Sequence, residues 1–440
     1  MGSSLPGSPA PSTAANPAGS GMPDINDPML APVETPPQIL SNWQQALALV
    51  RARSTSVASA QARVAQAQAS SRLALSNLLP NINGAGSVRR SLLFGTDAGG
   101  RRSPAPATVW NAGVTVRQSI VDLRSWHDVA TAKSSVQAAE VSAEDAERIA
   151  LGALADTIVT VITAERLAEV TRVSLRSILS TWDLTKKRTL LGAASAVDVL
   201  RTEQQVALSR LEVVRADETL RQAREALGMA LGYPEAWGVA ADIKVDQLAT
   251  DARSVCSPIQ DPEQRSDVRA ARLSLLVNER KAQSPSYGLA PTLALESAVN
   301  YDSLPQSPRP VDWSIGATLS VPLYDGGQLG AERGIKQAEA EFSRQQLTQI
   351  TRQARLEASQ AQRLVRVAQA NFDVSRQARD IAAESARLSR IAFVHGTGTS
   401  FDLVDSAARQ QSTEIDATVK EFEVIRAQIT ALLALSNCNI

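Results

Sequence analysis

The stretch Ser320-Val321-Pro322-Leu323-Tyr324-Asp325-Gly326-Gly327 decides the fold, because a version of it occurs twice in the chain. Residues 322–326 match Ser119-Ile120-Val121-Asp122-Leu123, which lies 203 positions earlier. Leu79-Pro80-Asn81-Ile82 likewise recurs 211 positions later as Ala290-Pro291-Thr292-Leu293. Gly192 and Asp198 recur 204 positions later as Gly396 and Asp402. Since the markers keep one order, the sequence predicts two tandem copies of a single structural unit.

Two long tracts of the sequence favour helix. Residues 107–233 contain no proline and residues 321–440 contain only Pro322, and both tracts are rich in Ala, Gln, Arg, Glu and Leu. Residues 122–187 would span about 100 Å as one helix, at 1.5 Å per residue. Residues 328–390 form a second tract of similar length. Helices of this length are typical of coiled coils, helical tubes and rods.

Between the helical tracts, apolar and small polar residues alternate, which predicts two β-hairpins at about 81–120 and 292–323. The alternation is clear in residues 110–117, 292–301 and 313–321, and poor in residues 81–92. A half-buried soluble sheet is one interpretation. The other is a membrane-spanning sheet, since the strands have the right length and no other element covers them. Four strands cannot close a barrel, whereas three chains would supply twelve.

Composition excludes several classes of protein. The 45 basic and 45 acidic residues balance, which argues against a nucleic-acid partner. Aromatic residues make up only 4% of the chain, which suits helices packed through small side chains. No apolar run is long enough for a transmembrane helix. Residues 1–38 hold nine of the 21 prolines, and we expect this Pro/Ser/Gly-rich extension to be disordered.

No catalytic, cofactor or metal site is predicted. The two histidines, His127 and His395, lack a metal-ligand spacing. The two cysteines, Cys256 and Cys438, are too few for a disulfide scaffold. They are either buried free thiols or, in an oxidising compartment, a single pair. We therefore expect no enzyme activity.

The repeated markers, taken together, resemble those of the TolC-like outer-membrane factor family. The resemblance covers residues 39–437 and is carried by Leu78-Leu79-Pro80, Gln118-Ser119-Ile120-Val121-Asp122 and residues 320–327. It implies a mainly α fold with a small β part. In a trimer, this fold forms a twelve-stranded transmembrane barrel, a long α-helical barrel across the periplasm and an equatorial collar.

The resemblance also implies a division of the chain. The first repeat would be residues 39–233, the equatorial linker 234–261, the second repeat 262–437 and the C-terminal tail 438–440. Cys256 lies in the linker and Cys438 follows the last helix, so both would lie near the collar and could pair.

Two glycine-centred turns are the best functional candidates. Their local sequence alone predicts helix ends, with Gly terminating one helix and Ser or Thr capping the next. The resemblance implies that they close the duct and contact a periplasmic adaptor through Leu191, Gly192, Ala193, Ser195, His395, Gly396, Thr397 and Thr399. It implies that Asp402 and Asp405 ring the narrowest constriction, attract cations and raise some of each other's pKa values.

The second turn departs from the family pattern. Asp198 keeps an acidic position that takes part in tip gating, but Phe393 and Gly398 stand where a Tyr and an Arg would bind it. Phe393 lacks the hydroxyl and Gly398 lacks the charge. The contact of a Tyr and an Arg with Asp198 therefore cannot form, and other contacts would have to close the tip.

The function implied is passive conduction out of a Gram-negative cell, through the outer membrane and its lipid. The partners implied are a second and third copy, a periplasmic adaptor and an inner-membrane pump of RND or ABC type. The cargo, drugs or type I secreted proteins, stays open. The alternative is a periplasmic or soluble coiled-coil adaptor or scaffold.

Overall fold

The computed structural model describes residues 25–90, 108–240, 243, 250, 256–303 and 311–438, and this part of the chain is mainly helical. In chain order the helices are α1 (Trp43–Arg53), α2 (Thr55–Ser76), α3 (Leu123–Leu190), α4 (Ala196–Ala230), α5 (Ser266–Tyr287), α6 (Gln328–His395) and α7 (Ser400–Ala434). The strands are β1 (Gln38–Leu40), β2 (Asn81–Arg90), β3 (Thr108–Val121), β4 (Trp237–Val239), β5 (Cys256–Pro258), β6 (Thr292–Asp302), β7 (Val311–Ser320) and β8 (Ser436–Cys438).

Each long helix begins at the aspartate that marks the repeat. The Asp122 carboxylate accepts a hydrogen bond from the Ser125 N–H at 2.9 Å, and so caps α3. The Asp325 carboxylate accepts from the Leu329 N–H at 2.7 Å, at the start of α6. Both helices run for 68 residues without a break, or about 100 Å. The two predicted long helices are therefore confirmed.

The repeat is visible in every long element. Helices α2 and α5 have 22 residues each, α3 and α6 have 68 each, and α4 and α7 have 35 each. The two copies pack along their length, with α3 against α4, α5 and α7, and α6 against α5 and α7. The helices thus run side by side, with α3 antiparallel to α4 and α6 antiparallel to α7.

The two predicted hairpins join into one antiparallel sheet in the order β2-β3-β6-β7. Strands β3 and β6 connect the repeats, with Val114 opposite Val299. Strand β2 pairs with β3 from Asn81 to Arg90, although its sequence alternates poorly. Three of its positions are glycine or alanine, and these obscure the alternation without preventing pairing.

One face of this sheet is apolar. The register places Trp110 opposite Val88, and Trp313 opposite Val299, on the same side. Most large side chains on this face are exposed, up to 74% for Trp313. The apolar face comprises Ile82, Val88, Trp110, Val114, Val116, Leu293, Leu295, Val299, Tyr301, Val311, Trp313, Ile315 and Leu319. The opposite face carries Asn, Ser, Thr, Arg, Glu and Asp, so the two faces differ sharply in polarity.

The hydrophobic core lies at the middle of the rods, in a collar formed by α1, β1, β4, β5 and β8. Leu40, Leu151, Ile158 and Leu227 are fully buried there, beside Trp237. Strand β1 pairs with β4 in parallel, and β5 pairs with β8 in antiparallel fashion. The predicted equatorial linker therefore contributes β4 and β5 to this collar.

The expectation of a disordered N-terminal extension through residue 38 is wrong for residues 25–38; residues 1–24 lie outside the described part. The buried Asp27 carboxylate is 2.7 Å from the Arg210 guanidinium on α4. Arg172 on α3 donates to the Ala31 carbonyl at 3.1 Å, and Arg224 on α4 to the Glu34 carbonyl at 2.9 Å. Tertiary contacts to arginines thus order a segment whose composition alone favours disorder.

The predicted C-terminal tail also begins too early. Cys438 is the last residue of β8, directly opposite Cys256 in β5, and a disulfide joins the two residues. Cys438 belongs to the collar and not to a tail, because β8 at the end of the chain pairs with β5 in the linker between the repeats. Residues 439–440 lie outside the described part of the chain.

Candidate functional site at the tip of the long helices

Two turns lie together at the end of the rods farthest from the sheet. Gly192 ends α3 with φ of 73°, and Gly396 ends α6 with φ of 79°. The Ala193 N–H donates to the Arg188 carbonyl at 2.8 Å, and the Thr397 N–H donates to the Ala392 carbonyl at 3.0 Å. Both turns thus need a left-handed residue, for which glycine is the least strained choice.

The helices that leave the turns begin with matching capping boxes. At α4, the Ser195 hydroxyl and N–H both donate to the Asp198 carboxylate at 2.8 Å. At α7, the Thr399 hydroxyl donates to the Asp402 carboxylate at 2.6 Å, and the Asp402 N–H donates back to that hydroxyl at 3.1 Å. Each carboxylate also lies at the positive end of a helix dipole. Both acids are therefore positioned by local structure.

Two contacts, called here the tip contacts, join the first turn to the second. In one, the Arg188 guanidinium on α3 donates to the Phe393 carbonyl at the end of α6. It also lies 4.5 Å from the centre of the Phe393 ring, which is 4% exposed. A cation is stabilised at a helix C-terminus and over an aromatic face.

In the other tip contact, the Ser400 hydroxyl at the start of α7 donates to the Asp198 carboxylate on α4. This bond and the Ser195 backbone N–H hold the pKa of Asp198 below its ordinary value. Ser400 is buried, so water has little access to the bond. Further up the rod, Arg390 of α6 donates to the Ser180 hydroxyl of α3 at 3.2 Å.

These contacts stand in place of the Tyr and Arg contact to Asp198 that the sequence lacks. Phe393 packs under Arg188, so the aromatic ring is used without a hydroxyl. Gly398 donates its N–H to the Ala392 carbonyl at 3.1 Å, and a Cβ on Gly398 would lie 3.0 Å from the Ala392 Cβ. The turn therefore favours a residue without a side chain at position 398.

Sequence reasoning missed Arg188 and Ser400. Arg188 lies in the basic run Lys186-Lys187-Arg188, which reads as an ordinary helix C-terminus. Ser400 follows the capping Thr399 and reads as a second capping residue. No signal in the sequence links either residue to the other turn, because the partners are 205 and 202 positions away.

The two constriction candidates differ in their contacts. Asp402 is exposed, and the Thr399 hydroxyl and N–H lower its pKa. These are the contacts of Asp402 within one chain, whereas the predicted rise in pKa concerns carboxylates from three copies and stays a prediction. Asp405 lies 2.8 Å from Arg409, one turn further along α7.

The residues predicted to contact an adaptor all lie at the surface of the tip. Leu191 is 82% exposed, and its neighbour Leu190, which was not among the predicted residues, is 87% exposed. The other exposed members are Gly192, Ala193, Ser195, His395, Gly396, Thr397 and Thr399. The tip thus offers apolar and small side chains to a partner, and no buried cleft separates them from solvent.

The described residues contain no group of three or more His, Cys, Asp or Glu that could hold a metal ion. His127 lies near the sheet, where its Nε2 is 2.8 Å from the Arg280 carbonyl and its ring is 4.7 Å from that of Tyr287. His395 is exposed at the tip. Within the described ranges, no helix is both long enough and apolar enough to span a membrane.

Comparison with known proteins gives one consistent answer. A family model described as outer membrane efflux protein matches residues 46–233 and 261–437. The pyoverdine export outer membrane protein OpmQ of Pseudomonas aeruginosa is 26% identical over 315 residues. The match covers 69% of this chain but only 65% of the length of OpmQ.

Solved structures show the same fold. CusC, whose crystal structures concern transmembrane channel formation, has a TM-score of 0.78 at 17% identity, covering 94% of this chain and 98% of its own. The outer membrane protein VceC of Vibrio cholerae has a TM-score of 0.75 at 17% identity, covering 89% and 95%. The TolC-like family prediction is confirmed: this chain belongs to the outer membrane efflux protein family, located in the outer membrane with a helical tunnel in the periplasm.

Proposed function

We propose that this chain is one subunit of a homotrimeric duct that conducts cargo passively across the outer membrane. A periplasmic adaptor docks onto the tip, and an inner-membrane pump of RND or ABC type supplies the energy. The observation that carries the proposal is the apolar face of the four-stranded sheet, attached to rods about 100 Å long. Lipid acyl chains are the cover that this face fits.

Edge strands support the trimer. Among the strands that the structure describes, β2 and β7 each have one edge without a pairing strand. An open edge leaves backbone N–H and C=O groups without partners, which lipid does not tolerate. Pairing of β7 with β2 of the next copy would close three four-stranded sheets into a twelve-stranded barrel.

An exposed apolar stripe on α6 also supports contact with another copy of the chain. Val367, Val374, Ile381 and Leu388 follow one another every seven residues on α6 and are 52% to 67% exposed. The buried alanines of α6, such as Ala361 and Ala368, already face the rest of the chain. A seven-residue apolar stripe is typical of helices that pack in a coiled-coil manner, so a neighbouring subunit fits this face.

Small organic molecules are the proposed cargo class. OpmQ is named for pyoverdine export, and this name supports a small-molecule cargo. The alternative of a soluble adaptor or scaffold has no support from the family match, which covers both repeats.

Fractionation tests the assembly. Expressed with an export leader in a Gram-negative host, the protein should enter the outer membrane and migrate on SDS gels as a heat-resistant trimer. Ile381→Glu should weaken that trimer, because it places three charges in the subunit contact, while Gln362→Glu on the exposed surface of α6 serves as the control. A soluble monomer would contradict the proposal.

Planar bilayers test the proposed constriction. Asp405→Asn and Asp402→Asn should each reduce cation preference, since they remove carboxylates from the entrance. Arg409→Gln should increase it, because Arg409 partly neutralises Asp405 at 2.8 Å. Unchanged selectivity in all three variants would remove these residues from the constriction.

A further inference from the structure

We infer that α3 and α4 together form a binding groove for an extended acidic peptide segment, and that residues 25–34, called here the strap, occupy this groove as a tethered ligand. The partner that fits the groove is an extended segment of another protein, with a carboxylate between apolar side chains. Such a segment competes with the strap. The inference rests neither on the proposed trimer nor on conduction.

Two arginines of the groove are held in place by the helices themselves. Arg172 of α3 lies 2.5 Å from the Asp217 carboxylate of α4. Arg224 of α4 lies 2.9 Å from the Glu165 carboxylate of α3. Both pairs join α3 to α4 without any atom of the strap. The two guanidinium groups are therefore oriented before a ligand binds, and such preorganisation lowers the cost of binding.

These arginines bind the strap through its backbone. Arg172 donates to the Ala31 carbonyl at 3.1 Å. Arg224 donates to the Glu34 carbonyl at 2.9 Å. Every residue has a backbone carbonyl, so these two bonds select an extended conformation rather than particular side chains. Segments other than the strap can therefore use the same donors.

One side chain of the strap gives the groove its preference for an acid. The Asp27 carboxylate lies 2.7 Å from the Arg210 guanidinium of α4, and the Asp27 side chain is only 7% exposed. The Met29 N–H donates to the same carboxylate at 2.9 Å. A carboxylate that is withdrawn from water needs a charged partner, and Arg210 supplies it. A neutral side chain at this position would leave the Arg210 guanidinium without that partner.

Apolar side chains lie on either side of this acid. Ile25 and Leu30 pack against a hydrophobic cluster formed by α3 and α4, whose members are at most 5% exposed: Leu175, Ile178, Leu179, Val206 and Val213. An apolar residue, an acid and a second apolar residue within residues 25–30 therefore define the ligand.

The strap can leave the groove without unfolding the helices. Asp27 is the only buried residue of the strap, and no strap residue belongs to a strand. Pro28 and Pro32 restrict its backbone, so less conformational entropy is lost when it binds. A segment that is held mainly by three arginines and two apolar side chains behaves as a ligand of α3 and α4, and not as part of their core.

The second repeat lacks these donors. Helices α4 and α7 have 35 residues each and begin with matching capping boxes, so their residues correspond at an offset of 204. Glu414 stands at the position of Arg210, and Gln428 stands at that of Arg224. An acid in place of Arg210 repels a carboxylate. The groove is therefore a feature of the first repeat.

The groove lies between the collar and the tip. From Arg224 to Arg210 it extends for about 21 Å along α4, at 1.5 Å per residue. A partner segment bound there would contact the rods at mid-length, away from both the glycine turns and the sheet.

A synthetic peptide of residues 25–34 tests the groove in the full chain. Asp27→Asn with Leu30→Ser weakens the strap and leaves α3 and α4 unchanged, so the labelled native peptide should bind this variant saturably in fluorescence polarisation. The native chain should bind it at least tenfold more weakly, because tethering gives the strap an effective concentration on the order of millimolar. Arg210→Gln, added to the weakened strap, should reduce binding about tenfold.

Arg221→Gln is the matched control for Arg210→Gln, because Arg221 is exposed on α4 and pairs with Glu218 rather than with the strap. Binding in this control should equal that of the variant with the weakened strap. No saturable binding by the folded variant, or equal losses in the two arginine variants, would overturn the inference.

Hydrogen exchange measures release of the strap. Exchange of residues 25–34 should be faster in Arg210→Gln than in the native chain or Arg221→Gln, while α3 and α4 remain protected. Loss of protection throughout α3 and α4 would show that the strap is part of the core and would contradict its role as a ligand.

Crosslinking identifies the chain that supplies the strap. The two native cysteines are already joined, so Asp27→Cys with Arg210→Cys adds a single new pair. This pair should crosslink within one chain. Covalent dimers on non-reducing gels would instead assign the groove to the strap of a second copy and overturn the inference.

Discussion

Asp198 and Asp402 have the same place in the repeat and differ by one neighbour. Each carboxylate accepts hydrogen bonds from the residue that caps its own helix. Asp198 also accepts a bond from Ser400, which belongs to the other turn. The Ser400 hydroxyl thus makes the capping residue Asp198 part of a contact between two helical hairpins.

Acid should loosen the first turn through Asp198. Its pKa is lowered in the folded chain, so its contacts stabilise the fold above the unfolded pKa of about 3.9 and are lost as pH falls through the lower folded pKa. Amide hydrogen exchange in the first turn of α4 should therefore accelerate below about pH 4 in the native protein.

The variant Asp198→Asn isolates this effect. It cannot titrate, so its exchange in the first turn of α4 should be faster than that of the native protein at neutral pH and nearly independent of pH. Asp325 accepts backbone hydrogen bonds at the start of α6, far from the tip, and also has a lowered pKa. It provides the control, because Asp325→Asn should leave α4 unchanged. Identical pH profiles for the native protein and Asp198→Asn would contradict the assignment.

At the scale of elements, each long helix ends at a glycine in the left-handed region. A Cβ on Gly192 would meet no atom within 4 Å, so substitution there acts through the backbone alone. Gly192→Ala should lower the free energy of unfolding by about 1 kcal/mol. Gly330→Ala is a control with the same open surroundings and ordinary helical backbone, and should be neutral or stabilising. Thermal unfolding of the purified protein measures both, and equal shifts would argue against strain at Gly192.

The collar depends on a covalent link between distant elements. The disulfide joins Cys256 in β5 to Cys438 in β8, which are 182 residues apart in sequence. Replacing both by serine should cost about 2 to 5 kcal/mol and free the end of the chain from the linker. Thermal unfolding and protease sensitivity after α7 check this result. Native stability after replacement would show that β5–β8 pairing is sufficient.

At the scale of the whole molecule, the polarity of the sheet decides where the chain can reside. Ile315 lies on the apolar face and Thr318 on the polar face of the same strand. Ile315→Lys should cost about 2 to 4 kcal/mol near the middle of the membrane and reduce insertion into the outer membrane. Thr318→Lys should insert normally. Equal insertion of both variants would contradict the lipid-facing assignment.

Much of the fold follows from local patterns in the sequence. Local sequence determines where the two long helices begin and end. They begin shortly after Asp122 and Asp325, contain no proline and end just before Gly192 and Gly396. Alternation identifies three strands clearly. The fourth, β2, is recognised less readily, because its small residues pack without giving a hydrophobic period.

Other features depend on residues far apart in sequence, and only the tertiary structure decides them. The order of residues 25–38 depends on arginines of α3 and α4, and the tip contacts depend on Arg188 and Ser400. The sequence by itself determined a duplicated, mainly helical chain with two hairpins and two glycine turns, because those features arise from neighbours along the chain. The tertiary structure decided which side chains join the two turns, because packing of separate helices sets those distances.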